Sequence, residues 1–430
     1  MGAAIAPDDR TASGARPRFW HDNLLLNGAG LVAGLGNLGY HVVVARMLGP
    51  VNYGVLQALT TFSVVVQAPV SLLTVLFTRR GADRREIAPI VGVGFGVGVV
   101  LWLAIAWATP VIAGAFHLPA RALLVYSLAL VPAVAYGALV GVMQWAAQFL
   151  WVGGLTAWGS LGRMAGAFVA SFRRWGLYGL VWMPPVVAAT AMAAGVYGAR
   201  LSVDHAAERG FTHHGGLYNA GVVGVLVLLW TSADVLVVKH ALGPTAAGLY
   251  GGLSTMGRAP AYFAGAVGAV LLSSIQRDRR RRTAYLVRSL ILVAGLGVLG
   301  LVAYEFWGPS LIILTLGRRF LGLEPHLLGF TAAMSLQGLF LILLYYGAGR
   351  AWRLVSLVGA LGLTAWLGML WTARDLAQVI DRTFWVSAVA MALGLVVVVV
   401  REWRDHGPGP QDGPVETREG RRVGRLPHRI

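Results

Sequence analysis

Ala45-Arg46-Met47-Leu48-Gly49-Pro50-Val51-Asn52-Tyr53-Gly54 and His240-Ala241-Leu242-Gly243-Pro244-Thr245-Ala246-Ala247-Gly248-Leu249-Tyr250 share one pattern. In each, a long apolar run ends near a basic residue, Leu-Gly-Pro makes a turn, and a Gly four residues after the Pro opens the next apolar run. Gly accepts backbone angles that end a helix, and Pro just beyond it cannot continue the old helix but can start a new one. Both stretches therefore read as tight connections between membrane-spanning helices. Leu48, Gly49, Pro50 and Gly54 precede Leu242, Gly243, Pro244 and Gly248 by 194 positions. In a chain of 430 residues that offset predicts two copies of one unit, each of about six spans by the membrane-length rule.

Composition sets the solvent. Hydrophobic residues make up 57% and charged residues 12%, with a mean hydropathy of +0.67, which excludes a soluble globular domain and fits a polytopic, all-α membrane protein. The absence of Cys excludes disulfides and thiolate metal sites. A net charge of +17 would point to nucleic acid in a soluble protein, but here it is read by position, and no nucleic-acid partner is expected. The first span is too long for a signal-peptide core and has no cleavage pattern, so it is expected to stay in the mature protein.

Apolar runs of spanning length lie at 24–46, 54–78, 89–116, 119–142, 150–172 and 176–199, and again at 217–239, 246–274, 285–307, 324–348, 351–373 and 380–400. The expected organisation is a cytoplasmic N-terminal tail (1–23), an N-lobe of helices 1 to 6 (24–199), an inter-lobe linker (200–216), a C-lobe of helices 7 to 12 (217–400) and a disordered basic tail (401–430). Orientation follows the arginines: Arg79, Arg80, Arg84 and Arg85 follow the second span, and Arg277, Arg279, Arg280, Arg281 and Arg282 follow the eighth. By the positive-inside rule these loops and both termini are cytoplasmic, in a plasma (inner) membrane. Six spans per half is an even number, so the repeats are parallel, related by an axis along the membrane normal. The clusters serve as topology anchors, with contact to anionic lipid headgroups as a second role.

The first span closing in Ala-Arg-x-Leu-Gly-Pro-x-x-Tyr-Gly, followed by a second span and a basic loop, resembles the oligosaccharide flippases of bacterial polysaccharide biosynthesis. These belong to the multidrug, oligosaccharidyl-lipid and polysaccharide exporter (MOP) superfamily. Leu242-Gly243-Pro244 with Gly248-Leu249-Tyr250 resembles the family's connection between helices seven and eight, whereas Leu271-Leu272-Ser273-Ser274 stands where relatives often have a proline. The resemblance implies two six-helix lobes in a V around a central cavity. It also implies a glycan on a polyprenyl pyrophosphate as cargo, carried from the cytoplasmic to the outer leaflet, with no bond made or broken and no cofactor. A glycan polymerase and glycosyltransferases would be its partners.

Candidate site residues come from polarity inside the spans. Asn27, Gly30, Gly34, Asn37 and His41 fall at helical spacings of three and four, a stripe that lipid tolerates poorly and that faces either a wet cavity or a packed helix. In the seventh span Gly224, Thr231 and Asp234 answer it. Arg163 and Arg258 lie near mid-span, at a cost of at least ~2.5 kcal/mol each on insertion scales, and a guanidinium fork suits pyrophosphate oxygens. They are the expected headgroup ligands. The alternative is an internal pair with Asp234, itself a partner or a cation or proton site. Arg288 is close enough to the end of its span to snorkel.

Pro69, Pro132, Pro184, Pro185 and Pro260 are candidate bends. Gly92, Gly94, Gly96 and Gly98 superficially resemble a nucleotide loop, but with no strand before them they read as helix packing. His213 and His214 have no second ligand pair, and no Walker sequence is present. Three rival functions remain at this point, one of them a scaffold for a capsule-assembly complex. A drug or metabolite antiporter would want acids in the first lobe, whose spans have none, and a lipid-linked glycan enzyme would want acids in residues 46–53 or a long outward loop.

Overall fold

The computed structural model describes residues 15–67, 70–146, 148–206, 217–277 and 279–406, and among them it contains helices and no strand. The first half consists of α1 (Ala15–Gln67), α2 (Val70–Arg80), α3 (Ile87–Ala115), α4 (Ala120–Ser127), α5 (Leu130–Trp145), α6 (Phe149–Phe172), α7 (Gly176–Val181) and α8 (Met183–Ala206). The second consists of α9 (Leu217–Ser232), α10 (Asp234–Ala241), α11 (Pro244–Gly257), α12 (Ala259–Arg277), α13 (Arg282–Thr315), α14 (Glu324–Gly349), α15 (Arg353–Trp371) and α16 (Leu376–His406). Each predicted span falls on one of these helices, on an arm of α1, or on a pair joined at a break.

α1 is two spans. Gly49 interrupts it at φ 68°, ψ 176°, a left-handed φ that glycine adopts without strain. Tyr53 Oη lies 3.1 Å from His41 Nδ1, although residues 12 apart in a straight helix would be ~18 Å apart. The chain therefore doubles back, and the two arms form a hairpin. The second Leu-Gly-Pro turn differs: Gly243 has φ −62°, ψ 161°, which any residue can adopt, so the turn is set by Pro244 at the start of α11.

Proline explains three of the breaks. Pro132 follows the break between α4 and α5, Pro184 and Pro185 the one at Trp182, and Pro260 the one at Arg258, each removing an N–H and crowding the preceding turn. Pro69 lies outside the described residues. The break at Ala233 has no proline; there Thr231 Oγ1 donates back to the carbonyls of Val227 (2.8 Å) and Leu228 (3.1 Å), a pattern that bends helices.

Among the described residues nine stretches are long and apolar enough to cross a bilayer, the first being the folded-back α1. α6 and the pair α11–α12 are not among them, α12 contributing only a shorter apolar stretch, Ala259–Leu272, and these elements carry Arg163 and the break at Arg258. Four elements overrun their expected ends, among them α13, which runs on to Thr315. α1 begins at Ala15, α8 continues to Ala206, where Arg84 pairs with Asp204 at 2.9 Å, and α16 continues to His406. The last overrun is held by Glu402, which accepts a hydrogen bond from Tyr346 (2.6 Å) and pairs with Arg350 (3.3 Å). The rest of both tails, most of the linker and the His213–His214 pair lie outside the described residues.

Within the first half α1 packs on α6, α3 and α2 on α5, and α5 on α8; within the second, α14 packs against α12, α13 and α16. Small residues permit the close approaches. A Cβ on Gly94 would stand 2.7 Å from Ala135 Cα, and one on Gly98 would stand 2.6 Å from the Val131 carbonyl, while Gly92 and Gly96 face open space. Two of the four glycines in that run are thus packing positions.

The halves meet through α1 and α11, with α10 beside them. Gly54 and Gly248, equivalent under the repeat, lie against one another. A Cβ on Gly54 would sit 2.7 Å from Gly248 Cα, and a Cβ on Gly248 would sit 2.1 Å from the Pro50 carbonyl oxygen. Around this contact, at the face that carries both Leu-Gly-Pro turns, other groups cross between the halves. Arg46 Nε donates to the Thr315 carbonyl (3.2 Å), and its Nη2 to the Ile313 carbonyl (3.2 Å), capping α13. Tyr53 meets Phe320 edge-on with centroids 5.6 Å apart, and His240 Nδ1 lies 2.5 Å from the Ala115 carbonyl. Because the Gly248 clash is with backbone, Gly248→Val is expected to cost about 1–3 kcal/mol as overpacking. Gly224→Val, at a glycine with nothing within 4 Å, serves as control. Thermal unfolding of the detergent-purified variants checks this, and equal midpoints would refute the contact.

Candidate functional site

A cavity of about 560 Å³ lies between the halves. The first arm of α1 contributes Gly34, Asn37 and His41, and its second arm contributes Gln57, Thr60 and Thr61; α6 contributes Arg163. From the other side come Ser232, Val235, Ser254, Thr255, Arg258 and Tyr262. Among the described residues no acidic side chain lines it. Its wall near the turn face is tied by one hydrogen-bond network: Gln57 Nε2 donates to Tyr53 Oη (2.9 Å) and Thr255 Oγ1 (2.8 Å), and Tyr53 Oη and Thr255 Oγ1 lie 2.5 Å apart. Gln57 Nε2 also reaches the Gly251 carbonyl at 3.4 Å, joining positions 194 residues apart and thus equivalent in the two repeats.

A second chamber of about 440 Å³ opens within the first half and shares Thr60, Val64 and Arg163 with the central cavity. Arg163 stands at the junction. Its Nε donates to the Gly159 carbonyl (3.0 Å), its Nη2 reaches Asn37 Oδ1 (3.4 Å), and its guanidinium lies 5.6 Å from the Tyr40 ring centroid. Among the described residues no carboxylate is within ion-pair distance of it.

Arg258 is placed differently. It occupies the break before Pro260, is buried, and pairs with the buried Asp234. Nη1 also donates to the Thr231 carbonyl (2.6 Å), and Tyr250 Oη donates to the same Asp234 oxygen. Among the described residues Asp234 Oδ1 and Arg258 Nε have no hydrogen-bond partner. Asp234 thus sits behind the cavity wall and Arg258 in it.

Of the polar stripe on the first span, Gly34, Asn37 and His41 reach the cavity, whereas Gly30 is exposed away from it and the Asn27 side chain lies outside the described residues. Gly224 is exposed, and Thr231 gives its hydroxyl to its own helix. Sequence reasoning passed over Gln57, Thr60 and Thr61. A signal existed: the repeat offset relates Thr60 and Thr61 to Ser254 and Thr255, which face them across the cavity. Arg288 is exposed and lines a lipid-facing groove with Tyr285 and Ser274.

Chemically the site offers neutral hydrogen-bonding groups, two guanidinium groups and aromatic hydroxyls. Breaking a buried pair by removing one partner is expected to cost about 3–5 kcal/mol. Asp234→Asn and Arg258→Met should therefore each destabilise strongly, and the double variant should lose clearly less than the sum. A double-mutant cycle of unfolding in detergent measures this; additive losses would mean the two side chains are not coupled.

The family model described as "Polysaccharide biosynthesis protein" matches residues 43–325, a stretch that contains both Leu-Gly-Pro turns, Arg163, Asp234 and Arg258. No curated protein matches the sequence. Among solved structures, an inward-facing multidrug resistance MATE family transporter of the MOP superfamily superposes with a TM-score of 0.63 at 11% identity, over 86% of this chain and 95% of that one. The lipid II flippase MurJ in an inward closed conformation gives 0.61 at 14% identity over 87% of each chain. A MATE protein in complex with MaL6 gives 0.57 at 12% identity, over 88% and 94%. At such identities the likeness is one of fold. The chain is thus a multi-pass membrane protein with the fold of the MOP-superfamily transporters, and it belongs to the polysaccharide biosynthesis protein family.

Proposed function

We propose that this protein translocates a polyprenyl-pyrophosphate-linked oligosaccharide from the cytoplasmic to the outer leaflet, by alternating access of its two halves, for cell-surface polysaccharide synthesis. The observation that carries the reading is Arg163: a mid-span guanidinium with no acidic partner among the described residues, at the mouth of two polar chambers. A charge left unpaired in a membrane helix needs either water or an anion, and the guanidinium fork suits a pyrophosphate. Arg258 stands in the opposite wall, paired with Asp234, so among the described residues the uncompensated positive charge at the cavity is that of Arg163. The family assignment supports a glycan as cargo, and one protein of this fold is a flippase for lipid II.

An inside-negative membrane favours outward movement of an anionic headgroup by ~2.3 kcal/mol per charge per 100 mV, so nucleotide hydrolysis is not needed in principle. The two halves screen sugar and phosphate from hydrocarbon while the polyprenyl tail stays in lipid. The breaks at Pro132, Pro184, Pro185 and Pro260 supply bends about which helices can reorient.

Flipping of a fluorescent polyprenyl-pyrophosphate glycan in proteoliposomes tests the reading. Arg163→Ala, at matched folded amounts, is expected to slow flipping about 10- to 100-fold, the loss of one or two charge-assisted hydrogen bonds at about 1.5–3 kcal/mol. Unchanged flipping would make Arg163 structural, and native protein that exchanges cationic solutes instead would shift the reading to an antiporter.

Sidedness is testable because the native chain has no Cys. With the arginine loops cytoplasmic, Thr245→Cys should react with a membrane-impermeant maleimide added to intact cells, and Arg84→Cys only after lysis. The reverse pattern would invert the topology.

A further inference from the structure

The two halves, although repeats, are not filled alike. In the second half the interior is packed with rings: Trp230 stacks on Trp366 with centroids 5.1 Å apart and meets Phe340 at 5.3 Å, and both tryptophans are buried. Their indole N–H groups are spent internally, Trp230 on the Gly359 carbonyl (3.0 Å) and Trp366 on Thr383 Oγ1 (3.0 Å), and the buried Asp234 and Arg258 pair with each other. The first half instead carries the open 440 Å³ chamber, a volume within the range of ligand sites, whereas the second half's recess of about 540 Å³, over Val222, Leu226, Leu354 and Leu357, is mainly apolar.

The chamber wall has a definite chemistry. Ser63, Gln67, Thr156 and Ser160 line it with neutral polar groups, of which Gln67 Nε2 donates to Ser63 Oγ (2.8 Å) and Thr156 Oγ1 to the Val152 carbonyl (2.8 Å), and Tyr126 and Tyr136 add aromatic surface. Among the described residues its single charge is Arg163, at the junction with the central cavity, and no carboxylate lines it. An organic cation would find no counter-ion here. An acidic sugar would need one cation for each carboxylate, and burying it unpaired is costly. Uncharged sugars match on both counts, because their hydroxyls pair with the amide and hydroxyl groups and their C–H faces lie on tyrosine rings.

We infer that the first-half chamber holds the sugar residues nearest the pyrophosphate, and that these residues are uncharged. The inference rests on the transporter reading and sharpens it: Arg163 takes phosphate at the mouth, the chamber selects neutral glycan, and the second half serves as the packed counterpart against which the first rocks. Thr156, exposed on the chamber wall, is a specificity-determining position.

The test compares three probes in proteoliposomes: polyprenyl pyrophosphate carrying a neutral disaccharide, the same lipid carrying a uronic-acid disaccharide, and the bare lipid. Native protein is expected to flip the neutral glycan at least tenfold faster than the acidic one. Thr156→Phe, which fills the chamber, should lower the ratio of neutral-glycan to bare-lipid flipping at least tenfold. Thr156→Arg, which supplies a second cation, should shift preference toward the acidic glycan, a gain that misfolding cannot produce. Equal native rates for neutral and acidic glycans, or an unchanged ratio in Thr156→Phe, would overturn the inference.

Equilibrium dialysis of the free neutral and acidic disaccharides against purified protein separates it from the transport reading. Neutral-selective binding that Thr156→Phe abolishes, in a protein that flips none of the lipids, would sink the transport reading and leave the chamber assignment standing. Absence of neutral-selective binding together with absence of flipping would overturn both.

Discussion

The two halves touch where neither has a side chain. Gly54 and Gly248 put backbone against backbone, so α1 and α11 approach more closely than any residue with a Cβ would allow. In hydrocarbon there is little hydrophobic force to hold two helical bundles together, and close van der Waals contact of small residues takes its place. The Arg46 cap on α13 and the Tyr53–Gln57–Thr255 network surround that contact and are satisfied only when it is made. Holding the halves together at the turn face leaves the polar faces of α1 and α11 to enclose a cavity deeper in the membrane.

The rest follows from how a membrane protein must settle its polar groups. Backbone donors and acceptors freed at the proline breaks, and charges carried on spans, cannot be left to lipid. In the second half the mid-span arginine is answered internally: Asp234 and Arg258 pair, Tyr250 adds a hydrogen bond, and the Thr231 carbonyl at the neighbouring break accepts from the guanidinium. The first half leaves Arg163 at the edge of a chamber, anchored through Gly159 and Asn37 but without a counter-charge among the described residues. One repeat has become a packed body and the other a container. That asymmetry, more than the count of spans, makes the molecule a candidate carrier of an anionic, hydroxyl-rich cargo.

Much of this was legible in the sequence, for reasons that can be named. Hydrocarbon imposes a length on apolar runs, so the spans could be placed to within a few residues. Two of the misplaced ends, those of α8 and α16, lie where polar pairs hold the helix beyond its apolar run, as Glu402 does with Tyr346 and Arg350. Prolines marked three breaks because a missing N–H acts locally. The fourth break, at Ala233, could not be foreseen, since it combines hydroxyl back-bonding in α9 with a demand for the Thr231 carbonyl made by Arg258 from another helix.

By itself the sequence determined the solvent, the helical class, the repeat and the residues whose charge needs a reason, because each of these is fixed by composition, run length or spacing along one helix. Tertiary structure decided what those residues do. Arg163 and Arg258 are alike as mid-span arginines, and only packing gives one a buried carboxylate and the other an open chamber. Gly54 and Gly248 read as the starts of apolar runs, and only the crossing of α1 and α11 reveals that they are there for want of a Cβ. Thr60, Thr61, Ser254 and Thr255 became a site only when the two halves were brought face to face, since a cavity is formed by surfaces distant in sequence and has no periodicity of its own along the chain.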